Sequence, residues 1–119
     1  MEFEQTVFYK SKRFAVRIIK LYKYLVETHN EYVLSKQILR SGTSIGANLS
    51  ESQMAISRKD FRMKVYVSLK ECCETAYWLE LLVETDYIDQ KMYDSLSSDC
   101  IEIRKMLAAT TKTLAKKKQ

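Results

Sequence analysis

The chain has 119 residues, 46% of them hydrophobic, with two glycines, no proline and a formal net charge of +5. That fits one domain with its own core, spanning residues 1–119, and leaves too little length for two ordinary domains. No apolar run approaches the roughly 18 residues that a helical membrane span needs, which argues against a membrane partner.

Glycine and proline punctuate strands, turns and helix ends, so their scarcity favours long uninterrupted helices. The spacing predicts a first helix over roughly residues 5–28. Phe3, Val7, Phe14, Ile18, Leu21 and Leu25 fall on one line at about 100° per residue, and Phe8, Ile19, Tyr22 and Val26 widen it. His29-Asn30 ends it, because Asn tolerates the left-handed conformation of a helix stop. A second helix is predicted over roughly 34–55, opened by Ser35 as a cap and striped by Ile38, Ile45, Leu49 and Ile56.

Ser57-Arg58-Lys59-Asp60 has the form of a capping box, and it opens a third helix over roughly 58–84. Its stripe reads Phe61, Val65, Leu69, Cys72, Ala76, Leu79 and Val83. After a short connection Asp89 caps a fourth helix over roughly 89–115, with Tyr93, Leu96, Cys100, Ile103, Leu107, Thr110 and Leu114 in strict 3-4 alternation. Four helices with short connections imply an all-α, antiparallel up-and-down four-helix bundle.

Both glycines lie in SGTSIGANLSES, residues 41 to 52. A phosphate loop needs Lys followed by Ser or Thr after its last glycine, and here Gly46 is followed by Ala47-Asn48. A dinucleotide fingerprint needs three glycines behind a strand, and no strand precedes. Gly42 and Gly46 are instead four apart on one helix face, with Ala47 and Ser50 nearby. Each interior glycine costs about 1 kcal/mol in helix propensity relative to Ala. Close approach of another helix offsets that, either inside the bundle or between subunits.

Residues 39–82 resemble the four-helix-bundle family named for proteins encoded within 23S ribosomal RNA intervening sequences. The resemblance rests on Ser41-Gly42-Thr43-Ser44-Ile45-Gly46-Ala47-Asn48, Glu51, Ser57-Arg58-Lys59-Asp60-Phe61, Leu69-Lys70-Glu71 and Glu74-Thr75-Ala76-Tyr77-Trp78-Leu79. Many relatives carry proline where this chain has Gly46, which implies a straighter second helix here. The resemblance implies a bundle that assembles into a homopentamer. The chain also resembles the accessory bundle protein of diversity-generating retroelements, which implies nucleic acid, DNA or RNA, and a reverse transcriptase as partners.

Charge is segregated. Residues 1–50 carry eight Lys and Arg against four Asp and Glu, residues 51–100 six against ten, and residues 101–119 six against one. Lys10, Arg13, Arg17 and Lys20 recur at spacings of 3, 4 and 3, a basic ridge on the first helix with Tyr24 on its extension. The ridge is either a solvated face or a surface for backbone phosphates, to which Lys116, Lys117 and Lys118 of the lysine tail would add. On the third helix Val67, Trp78 and Leu82 lie off the core stripe, with Met63 and Leu81 between. They either widen the core face or form a subunit interface. We read an interface, with Gly42 and Gly46 as its complementary patch, because a ring of identical subunits joins two different surfaces.

Catalytic chemistry is not evident. The single His29 stands at a helix end without a second histidine, and it reads as a surface or capping residue. Cys72, Cys73 and Cys100 match neither a zinc spacing nor a disulfide framework, and they read as reduced thiols of a cytoplasmic protein. Glu71, Glu74, Glu80 and Glu84 have no Glu-x-x-His arrangement for a di-iron site and are expected to form ion pairs. No metal, cofactor or catalytic residue is therefore assigned. The N-terminus begins acidic and lacks an apolar signal core, which argues against secretion. The expectation is a non-enzymatic oligomeric bundle that binds nucleic acid without sequence preference; the alternative is a structural or protein-adaptor ring.

Overall fold

The computed structural model describes residues 6–117, with side chains described as far as residue 115. Four helices follow in order: α1 Val7–His29, α2 Leu34–Ser52, α3 Arg58–Glu84 and α4 Gln90–Lys117. Each contacts its chain neighbour, and α4 returns to α1, closing an antiparallel rod of 49 × 24 × 23 Å. The α1–α4 side has the least contact of the four.

The helix ends follow from local chemistry. Thr6 caps α1 through its side chain, which accepts the Tyr9 N–H. Asn30 stops α1 at φ 52°, the left-handed conformation expected of it, and its N–H reaches back to Val26 O. The start of α2 is capped differently from the sequence expectation. Ser35 lies inside the helix, fully buried, and the cap comes from Glu31. That carboxylate accepts the N–H groups of Val33 (3.1 Å), Leu34 (2.9 Å) and Ser35 (2.6 Å). Burial pushes the Glu31 carboxyl up, but these donors outweigh it and hold the group below the usual carboxylate range. Ser57 caps α3 by accepting the Asp60 N–H, while Asp60 accepts from Ile56 N–H instead of Ser57 N–H. Asp89 caps α4 by accepting the Met92 N–H at 2.8 Å.

The buried faces form four 3-4 seams: Ser11, Phe14, Ile18, Leu21 and Leu25 on α1; Ser35, Ile38, Gly42, Ile45, Leu49 and Ser52 on α2; Val65, Ser68, Cys72, Thr75, Leu79 and Leu82 on α3; Leu96, Cys100, Ile103 and Leu107 on α4. This is the seam pattern of knobs-into-holes bundles. Small hydroxyl residues sit within it and satisfy their own polarity. Ser68 Oγ donates to Ile45 O at 2.7 Å, and Thr75 Oγ1 to Ser41 Oγ at 2.8 Å, both across the α2–α3 contact. No buried side-chain polar atom among the described residues lacks a partner.

Three further expectations change. The second helix ends at Ser52, so Ile56 lies in the α2–α3 loop, 93% exposed, outside the core. The core seam of α3 is rotated towards Ser68, Thr75 and Leu82, which leaves Phe61, Leu69, Ala76 and Val83 only half-buried on its shoulder. Leu82, expected at a subunit interface, is 0% exposed inside its own bundle. Phe3 and the first residue of the predicted α1 lie outside the described residues.

Candidate nucleic-acid interface

The ridge side chains lie along the α1–α4 seam, because Arg17, Lys20 and Arg13 flank the buried line of Phe14, Ile18 and Leu21 on the side facing α4. The structure divides the ridge into two kinds of cation. Lys10 Nζ meets Glu102 Oε1 at 3.3 Å. Arg17 is held more firmly: Nη1 donates to Asp99 Oδ2 at 2.7 Å and to Ser95 O at 3.3 Å, and Nη2 donates to Ser95 Oγ at 2.8 Å. Arg13 and Lys20 are exposed and form no ion pair among the described residues. Such surface pairs contribute only about 0–1 kcal/mol each, so they orient the side chains more than they stabilise the fold.

Two hollows open along this seam. One, about 420 Å³, is lined by Arg13, Arg17, Lys20, Leu21, Tyr24, Met92 and Leu96: an apolar floor under a basic rim. The other, about 180 Å³, is lined by Tyr9, Lys10, Arg13, Asp99, Glu102 and Ile103 and carries two carboxylates. Arg13 borders both. Tyr24 is fixed by its hydroxyl, 3.1 Å from Nε2 of His29, whose ring stands edge-on to Tyr24 and Tyr87. His29 is thus a half-buried aromatic brace at the end of α1.

Sequence reasoning located the cations but missed Ser95, Asp99 and Glu102, which orient them, and Met92 and Leu96, which floor the hollow. The signal lay in the antiparallel register of α1 against α4, where Lys10 and Arg17 face acidic residues three apart. Lys116 and Lys117 fall at the end of α4 with side chains outside the described set, and Lys118 lies outside the described residues.

The surfaces assigned to assembly divide in the same way. Gly42 is buried against α1, where a Cβ would lie 2.8 Å from Ile18 Cγ1 and Cγ2, so its close contact is within the subunit. Gly46 is half-buried beside Ser11 and lines an α1–α2 groove of about 620 Å³. Phe8, Ala15, Thr43, Ala47 and Ser50 also line this groove, with Phe8 38% exposed at its edge. Val67 and Trp78 are half-buried on α3. The Trp78 indole N–H donates to Glu74 Oε2 at 2.9 Å, and Glu74 and Glu71 both pair with Arg40 on α2. Cys72 and Cys100 are buried with Sγ atoms 3.6 Å apart, while Cys73 is exposed. Among the described residues no three His, Cys, Asp or Glu side chains converge as a metal site would, and no helix is long and apolar enough to cross a membrane.

The family model described as the 23S rRNA-intervening sequence protein matches residues 4–109. The chain belongs to the 23S rRNA-intervening sequence protein family. A member of the S23 ribosomal protein family from Bacteroides thetaiotaomicron, described as a protein with unknown function, has a crystal structure similar to this one. The two are 54% identical, the match covers 90% of this chain and 99% of that one, and the TM-score is 0.89. Comparison with curated proteins finds none that matches. The name of the 23S rRNA-intervening sequence family designates no reaction.

Proposed function

We propose that this member of the 23S rRNA-intervening sequence family is a non-enzymatic, oligomeric, cytoplasmic adaptor that binds DNA or RNA through the basic side of α1. The observation that carries the reading is the exposed pair Arg13 and Lys20, without acidic partners among the described residues, beside an Arg17 whose fork is already oriented by Asp99 and Ser95. Cations at regular helical reach contact backbone phosphates and release counterions, so binding is salt-dependent and weakly sequence-selective. Assembly into a ring, a homopentamer by family resemblance, would multiply weak contacts. A reverse transcriptase is a candidate protein partner on the same resemblance. Titration of labelled nucleic acid at two salt concentrations tests the reading. Charge reversal at Arg13 and Lys20 should abolish the salt-dependent binding, and unchanged affinity would refute the proposal.

A second reading, a structural or protein-adaptor ring, is favoured by the α1–α2 groove with its small-residue floor and the exposed Phe8 and Ile19. In either reading the subunit contact uses Gly46 and its groove on one copy and the Val67–Trp78 face on the next, since Gly42 and Leu82 are buried within the subunit. Ala47→Arg should convert the assembly to smaller species in sedimentation with the fold retained. A chain that is monomeric before substitution would remove the ring from both readings.

A further inference from the structure

The 420 Å³ hollow on the α1–α4 seam combines two chemistries that a phosphate-only surface does not need. Its rim is cationic, and its floor is Leu21, Met92 and Leu96 with Tyr24 at one end. We infer that this hollow takes one unpaired nucleotide of a nucleic-acid strand, its base against the apolar floor and Tyr24, and its flanking phosphates on Arg13 and Lys20. The inference rests on the ridge reading and names the class of strand it selects.

Three observations support it. The volume falls in the range of small-ligand sites, roughly 300–1,000 Å³, so a planar base fits where a whole duplex does not. Arg13 and Lys20 are two helical turns apart, about 10 Å along the axis, so they bracket the floor, with Arg17 between them tied across to α4. Arg17 and Tyr24 are both held from behind, by Asp99 with Ser95 and by His29, and so offer pre-oriented planar groups at little cost in side-chain entropy. Charge also selects the hollow. The neighbouring one presents Asp99 and Glu102, already paired with Arg17 and Lys10, so it offers a phosphate less net positive charge than the end that holds Arg13 and Lys20. A duplex hides its base faces and would reach only the rim. A single strand offers them, and aromatic and cationic surfaces hold such bases with little sequence preference.

The test uses the full chain and fluorescence anisotropy with labelled ten-nucleotide oligothymidylate and oligouridylate, an abasic strand of equal length, and a duplex. At least one base-bearing strand should bind about fivefold or more tighter than the abasic strand, and tighter than the duplex. Tyr24→Leu with Met92→Ala, which removes the surfaces offered to the base without changing charge, should narrow that gap, and a gap as wide as the parent's would overturn the pocket. Circular dichroism verifies that the variant remains helical, and Tyr24→Leu alone provides a milder change if it does not. Equal binding of base-bearing and abasic strands, all sensitive to Arg13→Glu with Lys20→Glu, would overturn the nucleotide pocket and leave the ridge reading standing. No binding by any strand would overturn both.

Discussion

Gly42 on α2 presses against Ile18 on α1 so closely that a Cβ at Gly42 would lie 2.8 Å from both Ile18 Cγ1 and Cγ2. Ile18 is β-branched and fully buried, so those carbons cannot swing aside. Gly42→Ala gains about 1 kcal/mol of helix propensity but forces overpacking of about 1–3 kcal/mol. The expected result is a net loss of stability in chemical denaturation. Gly46→Ala meets the Ser11 hydroxyl at 3.3 Å and the Ser11 backbone C and O at 3.6 Å, a much looser contact, and should be neutral or stabilising. Equal effects at the two positions would contradict the packing described.

Glu31 ties the α1–α2 connection to the first turn of α2. Its folded-state pKa lies below the unfolded value, so its contribution is complete above the unfolded pKa, about 4.3, and is lost as pH falls through the folded pKa. Glu31→Gln should lower stability at neutral pH by about 1–2 kcal/mol and flatten acid unfolding relative to the parent. Denaturant titrations between neutral and acidic pH measure both, and a variant with an unchanged acid slope would show that the cap is not the source.

Leu82 closes the α3 seam, so Leu82→Ala should cost about 2–5 kcal/mol. The loss should be the same at low and high protein concentration, because the side chain is buried within one subunit. A loss that appears only where the protein assembles would return Leu82 to an interface.

Thiol access should follow burial. Native protein treated with a maleimide should gain one label per chain, at Cys73, whereas unfolded protein gains three. The Cys100 thiol beside it and burial raise the Cys72 thiol above its ordinary range, further suppressing its reaction. Mass spectrometry of the labelled chain reads the outcome, and labelling of Cys72 or Cys100 in the folded state would contradict the core.

The bundle was legible because Phe14, Ile18, Leu21, Leu25, Cys100, Ile103 and Leu107 keep their 3-4 spacing in apolar residues. The α3 seam was not, because Ser68 and Thr75 occupy two of its positions and look like surface residues until their bonds to Ile45 O and Ser41 Oγ are seen. With those two read as polar, Leu82 stands apart from the apolar stripe and reads as a subunit contact. The cap of α2 was missed for a related reason. Ser35 has the usual capping chemistry, but a buried carboxylate four residues upstream supplies it. At the candidate site the cations were legible from spacing alone. Which of them are bound by acids depends on the register of α1 against α4, which a single helix period does not contain.

The weak α1–α4 side has a kinetic consequence. Its ionic straps, Lys10–Glu102 and Arg17–Asp99, join residues 92 and 82 positions apart, while the other sides close between chain neighbours. The hairpin-like pairs can form locally, so this seam should be the last to zip and the first to breathe. Added electrolyte screens the straps and removes their small contribution to this seam, while the apolar contacts of α1 with the core remain. Amide exchange along α1 should therefore quicken with ionic strength ahead of α3.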